Sequence, residues 1–348
     1  MKMKQWLNDQ VQKEVKKAIP VLSFPSTQLL KISVIDLISS SEMQAKGMKM
    51  IADRCDTGAS LSMMDLSVEA QAFGADVRMA EDEVPTVIGR LITTQEDVDN
   101  LQVPKVGAGR TGIYTEAIEK AVKRITDRPV FAGVIGPFSL SGRLMDMTEI
   151  MVNCYTEPEM VHAVLAKATE FLIQYVKGYK QVGANGVVIA EPAAGLLSPE
   201  FVAEFSSPYV KKIVEAVSSE DFAVVYHNCG KTIPLIDSIL TVGADAYHFG
   251  NAIQMSEMLK LVPSHIPVLG NIDPSGQFRN GSPESVREET LKVLKECSKH
   301  KNFIISSGCD IPPLASWANI DAFFAAVKSF YNNVRELVPN RQTAEKAG

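Results

Sequence analysis

Val224-Val225-Tyr226-His227-Asn228-Cys229-Gly230 is a short apolar, β-rich run that ends in two soft metal ligands and a glycine. A barrel strand delivers side chains to its rim in this way. In extended backbone, residues two apart point to the same side, so His227 and Cys229 can meet one ion. A second run, Phe303 to Ser306, leads into Ser307-Gly308-Cys309-Asp310 and ends in the same style. Cys309 is too remote from Cys229 for a zinc-finger loop, so tertiary structure must bring the two together. One imidazole and two thiolates suit zinc, and three protein donors leave a fourth position open, as in a catalytic rather than a closed structural site. Taken singly, each cysteine reads first as a small buried hydrophobe at a strand end. Taken together, they read as a metal site.

Composition narrows the rest. With 348 residues, 46% of them hydrophobic, the chain can bury a large core, and an α/β barrel of this length is a single domain, 1–348. The formal net charge of −6 and the lack of a long basic run argue against nucleic acid or an anionic membrane surface as partner. Cys55, Cys154, Cys229, Cys297 and Cys309 are odd in number and widely spread, which suits a reducing compartment. The opening Met1-Lys2-Met3-Lys4-Gln5-Trp6 leads into a charged amphipathic segment, and no apolar run reaches membrane-spanning length. A cytoplasmic protein is expected.

Along the chain, an opening helix over 5–18 (an N-terminal extension, 1–19) precedes a strand bounded by prolines, Pro20 to Pro25. A helix at 33–54 leads to a second strand, Ser60 to Asp65, and to a short helix stopped by Gly74. The segment 76–112 carries charge, Pro85, Pro104 and four glycines, and reads as an irregular, lid-like excursion. Six further strands are predicted: Val130 to Gly136, Gly186 to Ala190, Phe222 to Tyr226, Ala246 to Phe249, Pro267 to Leu269 and Phe303 to Ser306. Helices are expected near 139–153, 157–182, 199–218, 231–241, 255–261, 284–299 and 318–335, with a frayed tail at 341–348. Eight strands, each followed by a helix and most of them continuous apolar runs, spell a (β/α)₈ TIM barrel.

Chemistry in such a barrel sits at the C-terminal ends of the strands. Polar residues there are Asp65, Glu191, His227, His248, Asn271, Asp273, Cys309 and Asp310. For Asp and Asn, capping of the next helix is the competing role.

These landmarks make the chain resemble the uroporphyrinogen decarboxylase superfamily over roughly residues 20–335. They are Val68-Glu69-Ala70 to Gly74-Ala75, Gly136-Pro137-Phe138-Ser139-Leu140, Glu191-Pro192 with Leu197-Ser198-Pro199-Glu200-Phe201, His227-Asn228-Cys229-Gly230, Gly243-Ala244-Asp245-Ala246, Gly270-Asn271-Ile272-Asp273-Pro274 and Gly308-Cys309-Asp310-Ile311-Pro312-Pro313. The His-x-Cys pair with its distant Cys resembles the zinc-dependent methylcobamide:coenzyme M methyltransferase branch. That resemblance implies zinc on His227, Cys229 and Cys309, with Glu191 as a fourth ligand. It also implies methyl transfer from a methylated corrinoid to a zinc-activated small thiol, within one-carbon metabolism of the methanogenic kind. Asp65, His248, Asn271, Asp273 and Lys231 are candidate substrate contacts, and Arg143 is a further anion partner for the acceptor. The corrinoid is expected on a separate carrier protein, because no histidine here has the Asp two residues before it that carriers use.

Two departures from the branch concern the acceptor pocket: Phe249-Gly250-Asn251 where many relatives carry an Asp, and Leu314-Ala315-Ser316-Trp317-Ala318-Asn319 in place of Thr-Pro-x-Glu-Asn. A metal-free decarboxylase-like enzyme using Asp65 for acid–base chemistry is the first alternative. It is disfavoured because Arg54 is the only arginine in residues 20–60, whereas decarboxylases have an arginine-rich motif there. A non-catalytic homologue that binds the corrinoid protein is the second.

Overall fold

The computed structural model describes residues 1–344, with side chains through residue 333. Nine strands lie within them: β1 Ser60–Leu61, β2 Asp76–Arg78, β3 Thr86–Ile88, β4 Val130–Ile135, β5 Gly186–Ala190, β6 Ala223–Asn228, β7 Ala246–Phe249, β8 Val268–Ile272 and β9 Phe303–Ser307. Seven form one parallel sheet in the order β1-β4-β5-β6-β7-β8-β9, and β2 pairs with β3 in an antiparallel hairpin.

The eighth barrel position differs from expectation, since Pro20 to Pro25 forms no strand. The extended segment just before it bridges the gap instead. Ile19 N–H donates to the Ile305 carbonyl at 3.1 Å, and Gly58 N–H donates to the Ala18 carbonyl at 2.9 Å. Pro20 has no N–H to continue a ladder. Val21 then donates to the Ser307 hydroxyl at 3.0 Å rather than to backbone. A side chain thus completes the closure that a proline interrupts.

Alternation along the strands splits the core in two. Val188, Ala190, Ala223, Val225, Ala246, Leu269 and Ile304 face the barrel interior, where Met3 and Leu7 of the helix Met3–Gln12 join them. The opening helix therefore plugs one end of the barrel. Val187, Ile189, Val224, Tyr226, Tyr247 and Ile305 face outward, beneath helices such as Pro158–Gln181. That helix buries Val161, Leu165, Ala168, Leu172, Tyr175 and Tyr179 at spacings of three and four, the stripe a helix must present to a sheet.

Three expected helices are broken. The 33–54 segment is two helices, Val34–Ile38 and Ser41–Arg54, because Ser33 and Ser40 each cap a new N-terminus through the side chain. The 139–153 segment breaks at Asp146, which has a φ of 79° and whose carboxylate accepts from Thr148 N–H at 2.8 Å. The 199–218 segment contains a π-helical turn, Val202–Ser206. The helix Thr111–Arg124 lacked a predicted counterpart.

The 76–112 excursion is also more ordered than expected, with the β2–β3 hairpin, the helix Gln95–Asn100 and a tie to the body through Leu91 and Ile92 N–H on the Leu144 carbonyl. The last helix, Trp317–Ala344, takes in the first four residues of the expected frayed tail; residues 345–348 lie outside the described residues. Among the described residues no helix is long and apolar enough to cross a membrane.

Candidate metal centre

Ala223 and Val225 point into the barrel, and period-two alternation carries His227 and Cys229 to the same interior face at the C-terminal end of β6. Cys309 arrives from the turn after β9, where Gly308 N–H bonds the Ile272 carbonyl at 2.6 Å. The ligand atoms of His227, Cys229 and Cys309 lie within 4.8 Å of one another, and they are the one such group among the described residues. His227 Nε2 is 3.4 Å from Cys309 Sγ. Tetrahedral zinc, with its usual bond lengths, would hold a nitrogen and a sulfur about 3.5 Å apart. His227 is buried, whereas both cysteines are partly exposed, so the open side of the triad faces the barrel mouth. The residues fit zinc in chemistry and in spacing.

Electrostatics divide the thiols. A hydrogen bond from the Cys309 thiol, and then the neighbouring His227, pull Cys229 down to about 4 against the opposing effect of burial. The same bond, with burial, pushes Cys309 up. A ready thiolate beside an imidazole is what a soft cation requires.

Several expected site residues have other duties. Glu191, the tentative fourth ligand, turns away from the triad: its carboxylate accepts from Ser139 N–H at 2.6 Å and Phe138 N–H at 3.0 Å, at the start of the helix Pro137–Met145. Gly136 makes room, since a Cβ there would meet the Glu191 carboxyl carbon at 2.5 Å. Burial nonetheless pushes this carboxyl up to about 7.

Asp65 is buried, ion-paired with Arg110, and accepts from the Tyr114 and Ser67 hydroxyls at 2.6 Å each. His248 lies behind His227 instead of at the mouth, with the two Nδ1 atoms 2.7 Å apart. Burial, first, and the neighbouring His227 hold its pKa well below the ordinary histidine value. Asn271 donates to the carbonyls of Gly250 and Ile253 at 2.9 and 3.0 Å, and Asp273 accepts from Ser275 and Gly276 N–H at 2.9 and 2.8 Å. Both shape loops. Lys231 is exposed, and Arg143 is half-buried with its pKa lowered by burial.

Residues that support the triad carried little sequence signal. Asn228, between the two β6 ligands, donates to the Glu191 carbonyl at 2.9 Å and accepts from Gly230 N–H at 2.8 Å, which pins the turn that carries Cys229. Its place between two candidate ligands was the available clue. Gly250 lies so close beneath Cys229 that a Cβ would sit 2.5 Å from the Cys229 Cα.

A second buried group is informative about pH. Glu69 accepts from Ile135 N–H at 3.1 Å through Oε1, while its Oε2 has no partner. Burial pushes it up to about 8 from 4.5. Between those two values the folded chain binds a proton that the unfolded chain has lost, so stability falls as pH rises through this window. We expect Tm to decrease from pH 5 to pH 8.5, and Glu69→Gln to flatten that decrease. An equal slope in the variant, by calorimetry, would exclude Glu69 as its source.

A parallel α/β barrel with three soft donors at its C-terminal mouth defines the class of protein. The family model for uroporphyrinogen decarboxylase (URO-D) matches residues 16–330, and the chain belongs to that family. Among curated proteins, it is similar to methylcobamide:CoM methyltransferase MtbA of Methanosarcina mazei, 30% identical over 274 residues (76% of this chain, 78% of the relative). It is 28% identical over 270 residues to the MtbA of Methanosarcina acetivorans, with the same coverages. Uroporphyrinogen decarboxylase of Chlorobium phaeobacteroides is 25% identical over 311 residues, covering 86% and 87%. A solved methyltransferase from Methanosarcina mazei shares the fold, with a TM-score of 0.83 at 21% identity over 95% of this chain and 98% of that one.

Proposed function

We propose that this chain transfers a methyl group from a methylated corrinoid, presented by a separate carrier protein, to a small thiol such as coenzyme M. The convergence of His227, Cys229 and Cys309 at the barrel mouth is the observation that carries this reading. The likeness to the two MtbA proteins supports it. Zinc held by the three residues would lower the pKa of a thiol in the remaining position, as it does for bound water.

The chain's own contribution is placement. Asn228 and Gly250 set the turn that aims Cys229, and the barrel interior below the triad is packed with apolar side chains that exclude water. In the overall exchange the thiolate sulfur forms the new bond to the methyl carbon. The carbon–cobalt bond breaks, and its electron pair stays on cobalt. The decarboxylase-like alternative depended on a free Asp65, and that carboxylate is committed to Arg110, Tyr114 and Ser67.

Elemental analysis and X-ray absorption test the reading. About one zinc per chain with two sulfur neighbours is expected, rising to three sulfurs when coenzyme M is added, together with methylation of that thiol by methylcobalamin. A chain purified without chelators that holds no zinc and methylates no thiol would defeat it.

A further inference from the structure

Behind the metal-facing edge of His227 runs a chain of hydrogen bonds that ends on backbone. His227 Nδ1 lies 2.7 Å from His248 Nδ1 and 3.2 Å from the His248 carbonyl. His248 Nε2 lies 2.8 Å from Ser306 Oγ, and the Ser306 hydroxyl donates to the Ile19 carbonyl at 2.8 Å. All three side chains are buried. They form one layer, because β6 and β7 pair His227 with His248 and the interior alternation of β9 brings Ser306 to the same face as Ile304.

We propose that His248 and Ser306 are positioning residues that hold His227 in the tautomer whose Nε2 lone pair faces the metal, a proposal that rests on the metal-site reading above. Polarity is set from the far end. A carbonyl only accepts, so the Ser306 hydrogen is committed to Ile19. Ser306 Oγ must then accept from His248, which places the His248 proton on Nε2 and leaves a lone pair on its Nδ1. His227 donates to that lone pair from Nδ1, and its own Nε2 is free toward Cys309. The opposite tautomer would turn two lone pairs on each other at Ile19 and leave a buried acceptor unpaired. Ile19 belongs to the segment that fills the eighth barrel position, so closure of the barrel and orientation of the ligand share one hydrogen bond. Histidine ligands are commonly oriented by carboxylates, carbonyls or water; here the partner is a second histidine.

The test begins with the wild-type protein, uniformly ¹⁵N-labelled at histidine and stripped of metal, with His227 assigned by its loss in His227→Gln. Long-range ¹H–¹⁵N spectra are expected to show a protonated Nδ1 and an unprotonated Nε2 for His227. A protonated Nε2 overturns the proposal without any further variant. Zinc affinity, measured by competition with a chromophoric chelator, is expected to fall ten- to a hundredfold in Ser306→Ala and His248→Phe. His248→Gln, which keeps an acceptor toward His227 and a donor toward Ser306, should retain more affinity than His248→Phe. Wild-type affinity in Ser306→Ala overturns the relay while the metal reading stands. A wild-type protein that takes up no zinc overturns the metal reading, and the role of the relay with it.

Discussion

Cys309→Ala is expected to reduce bound zinc from about one per chain to near zero and to slow thiol methylation by methylcobalamin on the order of a thousandfold, a loss of about 4 kcal/mol of barrier lowering. Two donors, His227 and Cys229, remain in that variant, and neither His248 nor Glu191 can replace the third. His248 faces away from the triad through its bond to Ser306, and both Glu191 oxygens accept backbone N–H groups. The fold should survive, because Cys309 is partly exposed on a turn and contributes little apolar packing. Circular dichroism and calorimetry would confirm an intact barrel beside the metal analysis. Stoichiometric zinc in a folded Cys309→Ala protein would sink the ligand assignment.

Arg110→Met should leave the metal site intact and weaken the fold by about 3–5 kcal/mol, because it strands the Asp65 carboxylate where water cannot reach it. Side-chain exposure is 0% for Asp65 and 7% for Arg110, so neither charge has solvent to fall back on. The guanidinium also bonds the Gln71 side-chain oxygen and Ser67 Oγ at 2.7 Å each. Asp65→Asn combined with Arg110→Met should recover part of the loss by removing the orphaned charge. Denaturant unfolding of both variants beside the wild type would measure this. A single Arg110→Met variant within about 1 kcal/mol of wild type would mean that Asp65 is not held as a buried ion pair.

The contrast between these two sites shows which relations a single sequence reveals. His227 and Cys229 were legible because they are two residues apart on a strand with apolar neighbours, and alternation sends both inward whatever the rest of the fold does. Asp65 was legible only as a polar residue at a strand end. Its partner, Arg110, lies 45 positions later, inside a stretch read as irregular. The helix Thr111–Arg124 that presents Tyr114 to it had no counterpart among the expected helices. Helix breaks were lost for a related reason. Ser40 and Asp146 begin new helices through local side-chain bonds to the N–H groups that follow them, and these matter only when the chain on either side must change direction.

Local pattern alone determined the parallel barrel, the inward aim of His227 and Cys229, and the soft-donor chemistry that suits zinc, because each follows from strand period and residue type. Tertiary structure decided the rest. It brought Cys309 within reach of His227, spent Glu191 on a helix terminus, placed His248 behind the ligand and paired Asp65 with Arg110. Each of those outcomes depends on the register between strands distant in the chain or on the direction of a loop. A shift of one residue in register would send His248, which lies on β7, to the other face of the sheet.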